Sequence, residues 1–444
     1  MKQSGIDWIG EIPDDWKIEK FGHVLKERNE KNNPIISTER LSVSIDIGVT
    51  LYSDKTTNLD RFKDDFSQYK IAHEGDLVMN SMNVIVGSEG ISPYFGCVSP
   101  AYYTYYCDDE DFNSARYCDY LFKTKSLKKF LRAIGKGIYA IDRGDDKVNT
   151  CRLKVSRMDM KNLLIPLPPK ATQQRIAEYL DSKCAQIDSI IEESKKSIEE
   201  YKAWKQSVIF EAVTGKNLNC KKKDSGIEWI GEIPEGWEIR QIRNVILRGK
   251  NGIKIGPFGS TLTNKTEANY PYNIYGQANL VSNDFSFTKN TVSKQVFEEL
   301  KNYEVIAGDI CLSMMGTIGK CRTVPKGIKQ GIMDSHLIKI RLDAKIITNS
   351  YFEYVYDKDY SGLCYQQMQH DKKGSIMDGL NTTIVKSLLI PLPSITEQET
   401  IAKMLDSKCA QIDSLIAEKE SLITDLTEYK KSLIFEVVTG KRSI

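Results

Sequence analysis

Six cations crowd into one short stretch of this chain: Lys123, Lys125, Lys128, Lys129, Arg132 and Lys136. The segment that follows, GKGIYAIDRGDDK, adds Arg143. Lysines and arginines grouped in this way can neutralise several phosphates and give an affinity that falls with salt. A solvated helix face is the alternative use of the same residues. Further along, KIGPFGSTLTNK (254–265), IYGQANL (274–280) and GTIGKCR (316–322) are loops rich in Gly, Asn, Gln and Lys. They offer Lys254, Ser260, Gln277, Asn279, Lys320 and Arg322. Gln and Asn pair bidentately with adenine, and Arg or Lys with guanine, in the major groove of duplex DNA. Glycine lets backbone come close to such a partner. Any one of these loops taken alone also reads as an ordinary turn. Together these residues are the candidate DNA-binding set.

Residues that would carry a reaction are not found. VTGK and TIGKC lack the upstream glycine of a phosphate-binding loop, and no G-x-G-x-x-G follows a strand. There is no NPPY- or DPPY-like tetrapeptide of the amino-methyltransferase kind, no nuclease set of carboxylates and lysine, and no G-x-S-x-G elbow. Ten cysteines (97, 107, 118, 151, 184, 220, 311, 321, 364, 409) form no CxxC pair, and His23, His73, His336 and His370 are isolated. Zinc sites need closer spacing than this, so the cysteines read as small core residues. The expectation is a protein that binds and does not catalyse, without metal or cofactor.

Charge supports the same reading once it is divided. Residues 172–214 carry a net −2 and residues 396–438 a net −4, so the overall +2 leaves +8 on the remainder. That balance suits a remainder that meets phosphates, although chance partition would also give it. No window approaches 18 consecutive apolar residues, and MKQSGIDWIG lacks a basic n-region and an apolar h-region. The expectation is no membrane association and a cytoplasmic location.

The elements that must position these residues come as a duplication. SGIDWIGEIPDDWKI (4–18) returns as SGIEWIGEIPEGWEI (225–239), and LLIPLP (163–168) returns at 388–393. DSKCAQIDS (181–189) returns unchanged at 406–414, and QSVIFEAVTGK (206–216) answers KSLIFEVVTGK (431–441). A period near 220 residues is far too long for a solenoid unit of about 50. It marks a tandem of two domain-plus-helix units. The stretches between the repeats, about 19–160 and 240–385, resemble each other only faintly; EGDLVMNSMN (74–83) against AGDICLSMMG (307–316) is one echo.

Both repeated charged segments show a seven-residue apolar period. Leu180, Ile187, Ser194, Tyr201 and Val208 form one row of the first copy, and Cys184, Ile191, Ile198, Lys205 and Ala212 the other. The second copy gives Leu405, Ile412, Lys419, Leu426, Leu433 and Cys409, Ile416, Ile423, Lys430, Val437. Two such rows make a seam that has to be buried against another helix. Helix pairing is therefore assigned to Leu180, Ile187, Ile191, Ile198, Tyr201, Val208, Leu405, Ile412, Ile416, Ile423, Leu426 and Leu433. The simplest pairing is of the two segments with each other, antiparallel and inside one molecule; two separate stalks that each homodimerise are the alternative. Thr396 with Glu399 predicts a capping box, of which Thr172 with Arg175 keeps half, and Gly215 and Gly440 predict left-handed C-caps.

The intervening stretches read as strand-rich. Strands are expected in 69–81, 102–109, 305–325 and 335–343, with a helix over 116–134 and a counterpart over 349–368. Trp8, Trp16, Trp229 and Trp237 lie in segments that the halves share, so they read as packing anchors rather than as readers of differing sequences. The expected fold class is α+β: two α+β domains separated by two long helices that pair as an antiparallel intramolecular coiled coil with pseudo-two-fold symmetry. Expected boundaries are 1–162, 163–216, 217–387 and 388–444.

The Trp motif, the IPLP–[TQ]Q–x–x–IA–x–x–L–D helix start and the [VL]IFE–x–VTGK end resemble the specificity subunits of type I restriction-modification systems, over nearly the whole chain. The resemblance implies that each variable domain reads one half of a split double-stranded DNA target and that the paired helices act as a ruler. It also implies two DNA adenine methyltransferase subunits docked on the helices, supplying the S-adenosylmethionine chemistry, and motor-nuclease subunits completing the complex. A tandem scaffold that binds proteins rather than DNA is the competing reading.

Overall fold

The computed structural model describes residues 1–444 apart from 46, 56–64, 109–112, 139–151, 250, 258, 263–265, 268 and 371–378. Two compact units are formed, Met1–Ser194 with Ser421–Ile444, and Lys195–Glu420. Each takes one variable stretch and half of each long helix, so the division does not run in simple sequence order.

The long helices are Lys170–Thr214 and Ile395–Val438. In the first unit the Lys430 ammonium lies 2.7 Å from Asp188, and the Arg175 guanidinium donates to the carbonyl of Ile444. Numbers that fall along one helix thus rise along the other, which makes the pairing antiparallel. In the second unit Lys205 pairs with Asp413 at 2.6 Å. Lys205 and Lys430 are the same position of the repeat, as are Asp188 and Asp413. These two lysines of the seam therefore meet carboxylates on the facing helix, while Ser194 is buried within the seam. Each such pair is worth little in stability at partial exposure, yet it favours one register over its neighbours.

Around the seam, Leu180 and Leu405 are fully buried, and Ile187, Ile198, Ile412 and Leu433 nearly so. Ile191, Tyr201, Val208, Ile416, Ile423 and Leu426 are half-buried. Burying a leucine side chain contributes about 1.5–3 kcal/mol. The second helix starts on a capping box made by Ser394 and Glu397: the Glu397 carboxylate accepts from the Ser394 N–H at 2.9 Å, and the Ser394 hydroxyl accepts from the Glu397 N–H. This corrects the box expected at Thr396 and Glu399. The helix begins one residue before Thr396, so that threonine already sits inside its first turn. Gly215 (φ 69°) and Gly440 (φ 71°) both close their helices in the left-handed region. A Cβ at Gly440 would also run into the Pro13 ring, and one at Gly215 into Pro234.

Those contacts show why the Trp motif and the helix end recur together. In the first unit Ile9, Ile12 and Trp16 share a core with Leu433, Val437 and Val438; in the second, Ile230, Ile233 and Trp237 share one with Ile209, Ala212 and Val213. Trp16 and Trp237 are buried, and the Trp237 indole donates to Glu397. The LIPL strands are stitched to the segment after each Trp motif, Leu164–Leu167 to Lys17–Lys20 and Leu389–Leu392 to Glu238–Gln241, both antiparallel. A proline is tolerated in each because the ladder has only two strands.

Each variable stretch builds an antiparallel four-stranded sheet. Its order is Lys26–Glu27, Tyr102–Tyr106, Leu77–Asn80, Glu89–Ile91 in the first unit, and Ile253–Ile255, Leu337–Ile340, Ile310–Ser313, Cys321–Thr323 in the second. The second unit adds a five-stranded sheet with one parallel pair, Tyr272–Tyr275 beside Gly331–Met333. The fold class is α+β, as expected. The helix expected over 116–134 is two, Asn113–Phe122 and Lys125–Ile134, because Thr124 turns out of the first and caps the second through its hydroxyl. Its counterpart is likewise split, into Asn349–Tyr356 and Leu363–His370.

Candidate nucleic-acid interface

The basic cluster does not act as one patch. Lys123 is held by Asp119 at 2.5 Å, and Lys128, three-quarters buried, lies 3.7 Å from Glu89. Lys125 is exposed and adds its field to the Glu428 carboxylate of the second long helix. Lys129, Arg132 and Lys136 are exposed on the surface of the first unit. Arg143 lies outside the described residues.

In the second unit the structure separates the candidates further. Lys254 is half-buried with its ammonium 4.7 Å above the Tyr303 ring. Ser260 lies on the short helix Gly259–Leu262, and its side chain is outside the described set. Gln277 turns its amide N–H groups onto Ser313, Met315 and Thr317. Asn279 is buried; it donates to the carbonyls of Asp284 and Phe287 at 2.8 and 2.9 Å and accepts from the Gly276 N–H. Lys320 is paired with Asp359, and Arg322 with the fully buried Asp357 at 2.6 Å. Asn279, Lys320 and Arg322 thus make these contacts within the domain. Gln277 borders a cavity of about 640 Å³ that Lys289, Asp334 and His336 also line.

Sequence reasoning missed a recurring pair of tyrosines. The Tyr117 hydroxyl donates to the carbonyls of Pro166 and Val438, and that of Tyr351 to those of Pro391 and Val213. One turn on, Tyr120 and Tyr354 donate to Asp181 and Asp406, at 2.5 and 2.6 Å. Each unit thus bolts a helix of its variable stretch to both long helices through the same Tyr-x-x-Tyr spacing, YCDY and YFEY. The signal was present in the sequence, but at an offset of 234 rather than the 221 and 225 of the repeats on either side.

Among the described residues, no three or more His, Cys, Asp or Glu side chains gather as a metal site would require. Burial pushes the Cys311 thiol up to about 12, and Cys118 and Cys364 are raised by the same cause, so these thiols stay protonated at neutral pH. No helix among the described residues is long and apolar enough to cross a membrane.

Residues 13–200 and 234–424 each match the family model described as type I restriction modification DNA specificity domain. Across 98% of its length the chain is 24% identical to the putative type I restriction enzyme MjaX specificity subunit of Methanocaldococcus jannaschii, covering 95% of that protein. It is 24% identical to the EcoBI specificity subunit of Escherichia coli, over 95% of this chain and 90% of that one. Among solved structures, a chain from a type I restriction-modification assembly superposes with a TM-score of 0.71 at 15% identity, covering 97% of this chain and all of that one. The HsdS subunit of Thermoanaerobacter tengcongensis superposes with a TM-score of 0.55 at 14% identity, and each chain is covered in full.

Proposed function

The chain belongs to the family of type I restriction modification DNA specificity domains, and from that premise we propose that it reads an asymmetric, bipartite target in double-stranded DNA. One variable domain, within 1–162, reads one half-site, and the other, within 217–387, reads the second. The paired helices set the unread gap and dock two DNA adenine methyltransferase subunits, with motor-nuclease subunits completing a cytoplasmic complex. The chain itself catalyses no step and holds no cofactor; it supplies address, and its partners supply chemistry.

The observation that carries this reading is the repeated framework with unlike contents. Trp motif, LIPL strand, tyrosine bolts and helix end recur in both units, while the stretches between them are unlike in sequence and the second carries an additional five-stranded sheet. A helix of 45 residues is about 68 Å long at 1.5 Å per residue. A stiff element of that length suits two readers that address separate half-sites of one duplex.

The test is binding of duplex DNA by the chain together with its methyltransferase partner, as salt is raised. Replacing Lys129, Arg132 and Lys136 by Ala is expected to lower the slope of log affinity against log salt by roughly 2 to 3, close to 0.9 per phosphate contact. A wild-type complex whose affinity does not change with salt, or which does not prefer any duplex sequence, would refute the reading.

A further inference from the structure

EGDLVMNSMN and AGDICLSMMG, an echo between otherwise unlike domains, fold alike. Each turns on a glycine in the left-handed region, Gly75 (φ 83°) and Gly308 (φ 87°). Each then buries an aspartate, Asp76 or Asp309, under a two-point contact from an arginine, Arg28 or Arg341. A fully buried strand follows, Leu77–Asn80 or Ile310–Ser313. These features explain the first seven residues of the echo by packing. They do not explain what comes next: at the same position past each strand a methionine stands in solvent, Met82 at 39% and Met315 at 41% exposure.

Both loops are held in place from within. The Asn80 side chain accepts from the Met82 N–H at 3.1 Å, and the Asn83 N–H donates to the Asn80 carbonyl at 2.9 Å. In the second unit the Gln277 amide grips Ser313, the Met315 carbonyl and Thr317, and the Met314 N–H donates to His336 at 2.9 Å. The same return contact recurs: the Val155 N–H donates to Ser81, and the Leu380 N–H to Met314. Lysines approach both loops: the helix Lys125–Ile134 packs against Val84–Val86 and brings the Lys128 ammonium against Gly87, and in the second unit Lys358 backs Gly319. A turn tip usually carries small or polar residues. An exposed apolar side chain on a loop whose backbone is held in place, with a lysine against the same loop, matches instead what a DNA groove presents, phosphates around thymine methyl groups and base faces.

We propose that residues 81–87 and 314–320 are the loops by which the two variable domains enter a DNA groove, with Met82 and Met315 as their apolar contacts to the bases. This rests on the DNA-reading role stated above. Gln277 is then a positioning residue that presents the second loop, rather than a reader of adenine.

The experiment uses the full chain in complex with its methyltransferase partner and duplexes carrying the complete target, or the target with one half scrambled. Met82→Glu should weaken binding of the complete target by about tenfold or more and lose discrimination at one half-site only. Met315→Glu should do the same at the other half-site, and Met→Ala at either position should have a smaller effect of the same kind. Leu218→Glu, in the segment that follows the first long helix, and Leu247→Glu, both at exposed apolar residues outside the two loops, should bind within about twofold of wild type. Thermal melts check that each variant is folded. If wild type discriminates its target and both Met→Glu variants match it, the loop assignment is overturned while the DNA-reading role stands. If wild type itself does not discriminate, that role fails and the assignment falls with it.

Discussion

Replacing Tyr117 by Phe removes one oxygen atom and leaves the packing volume nearly unchanged, which makes it a clean probe of how a variable domain is fastened. The Tyr117 hydroxyl is buried and donates to Pro166 at 2.7 Å and to Val438 at 3.0 Å. Val438 is the last residue of its helix, where carbonyls have no partner within the helix. Losing the hydroxyl leaves buried acceptors with one donor fewer, a cost of about 1–3 kcal/mol. With a central value of about 2 kcal/mol and a shift of about 2–4 °C per kcal/mol for a unit of this size, the expected fall in Tm is about 4–8 °C. Tyr351→Phe removes the equivalent contacts, to Pro391 at 3.1 Å and Val213 at 3.2 Å, and should cost a similar amount in the other unit. Differential scanning calorimetry of both single variants and the double variant measures this, and the two costs should add because no group is shared. A Tyr117→Phe melt within about 1 °C of wild type would show that these hydroxyls are not fastening the helix end, against the cost expected for an unmet buried acceptor.

Three other outcomes follow from the same geometry. Gly440→Ala and Gly215→Ala should each destabilise by about 2–4 kcal/mol in chemical denaturation, since a left-handed φ and a proline ring both oppose the new methyl group. Reversing one interhelical pair in halves, Lys205→Asp or Asp413→Lys, should lower stability, and the double swap should recover it; a double-mutant cycle should give a coupling of about 0.5–1 kcal/mol. Glu89 is pushed up to about 8, first by burial, with Lys128 opposing the rise and Asp119 reinforcing it. A carboxyl raised in the folded state is most favourable below its unfolded value of 4.5, so stability should decline as pH rises from there to about 8. Glu89→Gln should flatten that decline in urea titrations across the same range; an unchanged pH profile would contradict it.

What could be read from the chain beforehand was whatever depends on period and repetition. The heptad rows, the left-handed caps at Gly215 and Gly440 and the anchoring role of Trp16 and Trp237 follow from spacing and from recurrence in two unlike contexts. What could not be read was the choice among partners. Six cations in a row look like one surface until Asp119 and Glu89, the latter more than thirty residues away in sequence, claim Lys123 and Lys128. Asn279 and Arg322 have the side chains of base readers, and only the fold reveals that their polar atoms are turned onto Asp284, Phe287 and Asp357. The capping box slipped by two residues because Ser394 and Thr396 each precede a glutamate by three, and local pattern does not rank them.

The most direct test of the account is to map methylated adenines in cells that carry this chain with its methyltransferase, first as wild type and then with four residues inserted after both Ser194 and Lys419. Two dissimilar half-sites at a fixed separation are expected, and the separation should grow by about two base pairs, since four helical residues add about 6 Å. A single uninterrupted site, or half-sites whose separation ignores the insertion, would contradict it.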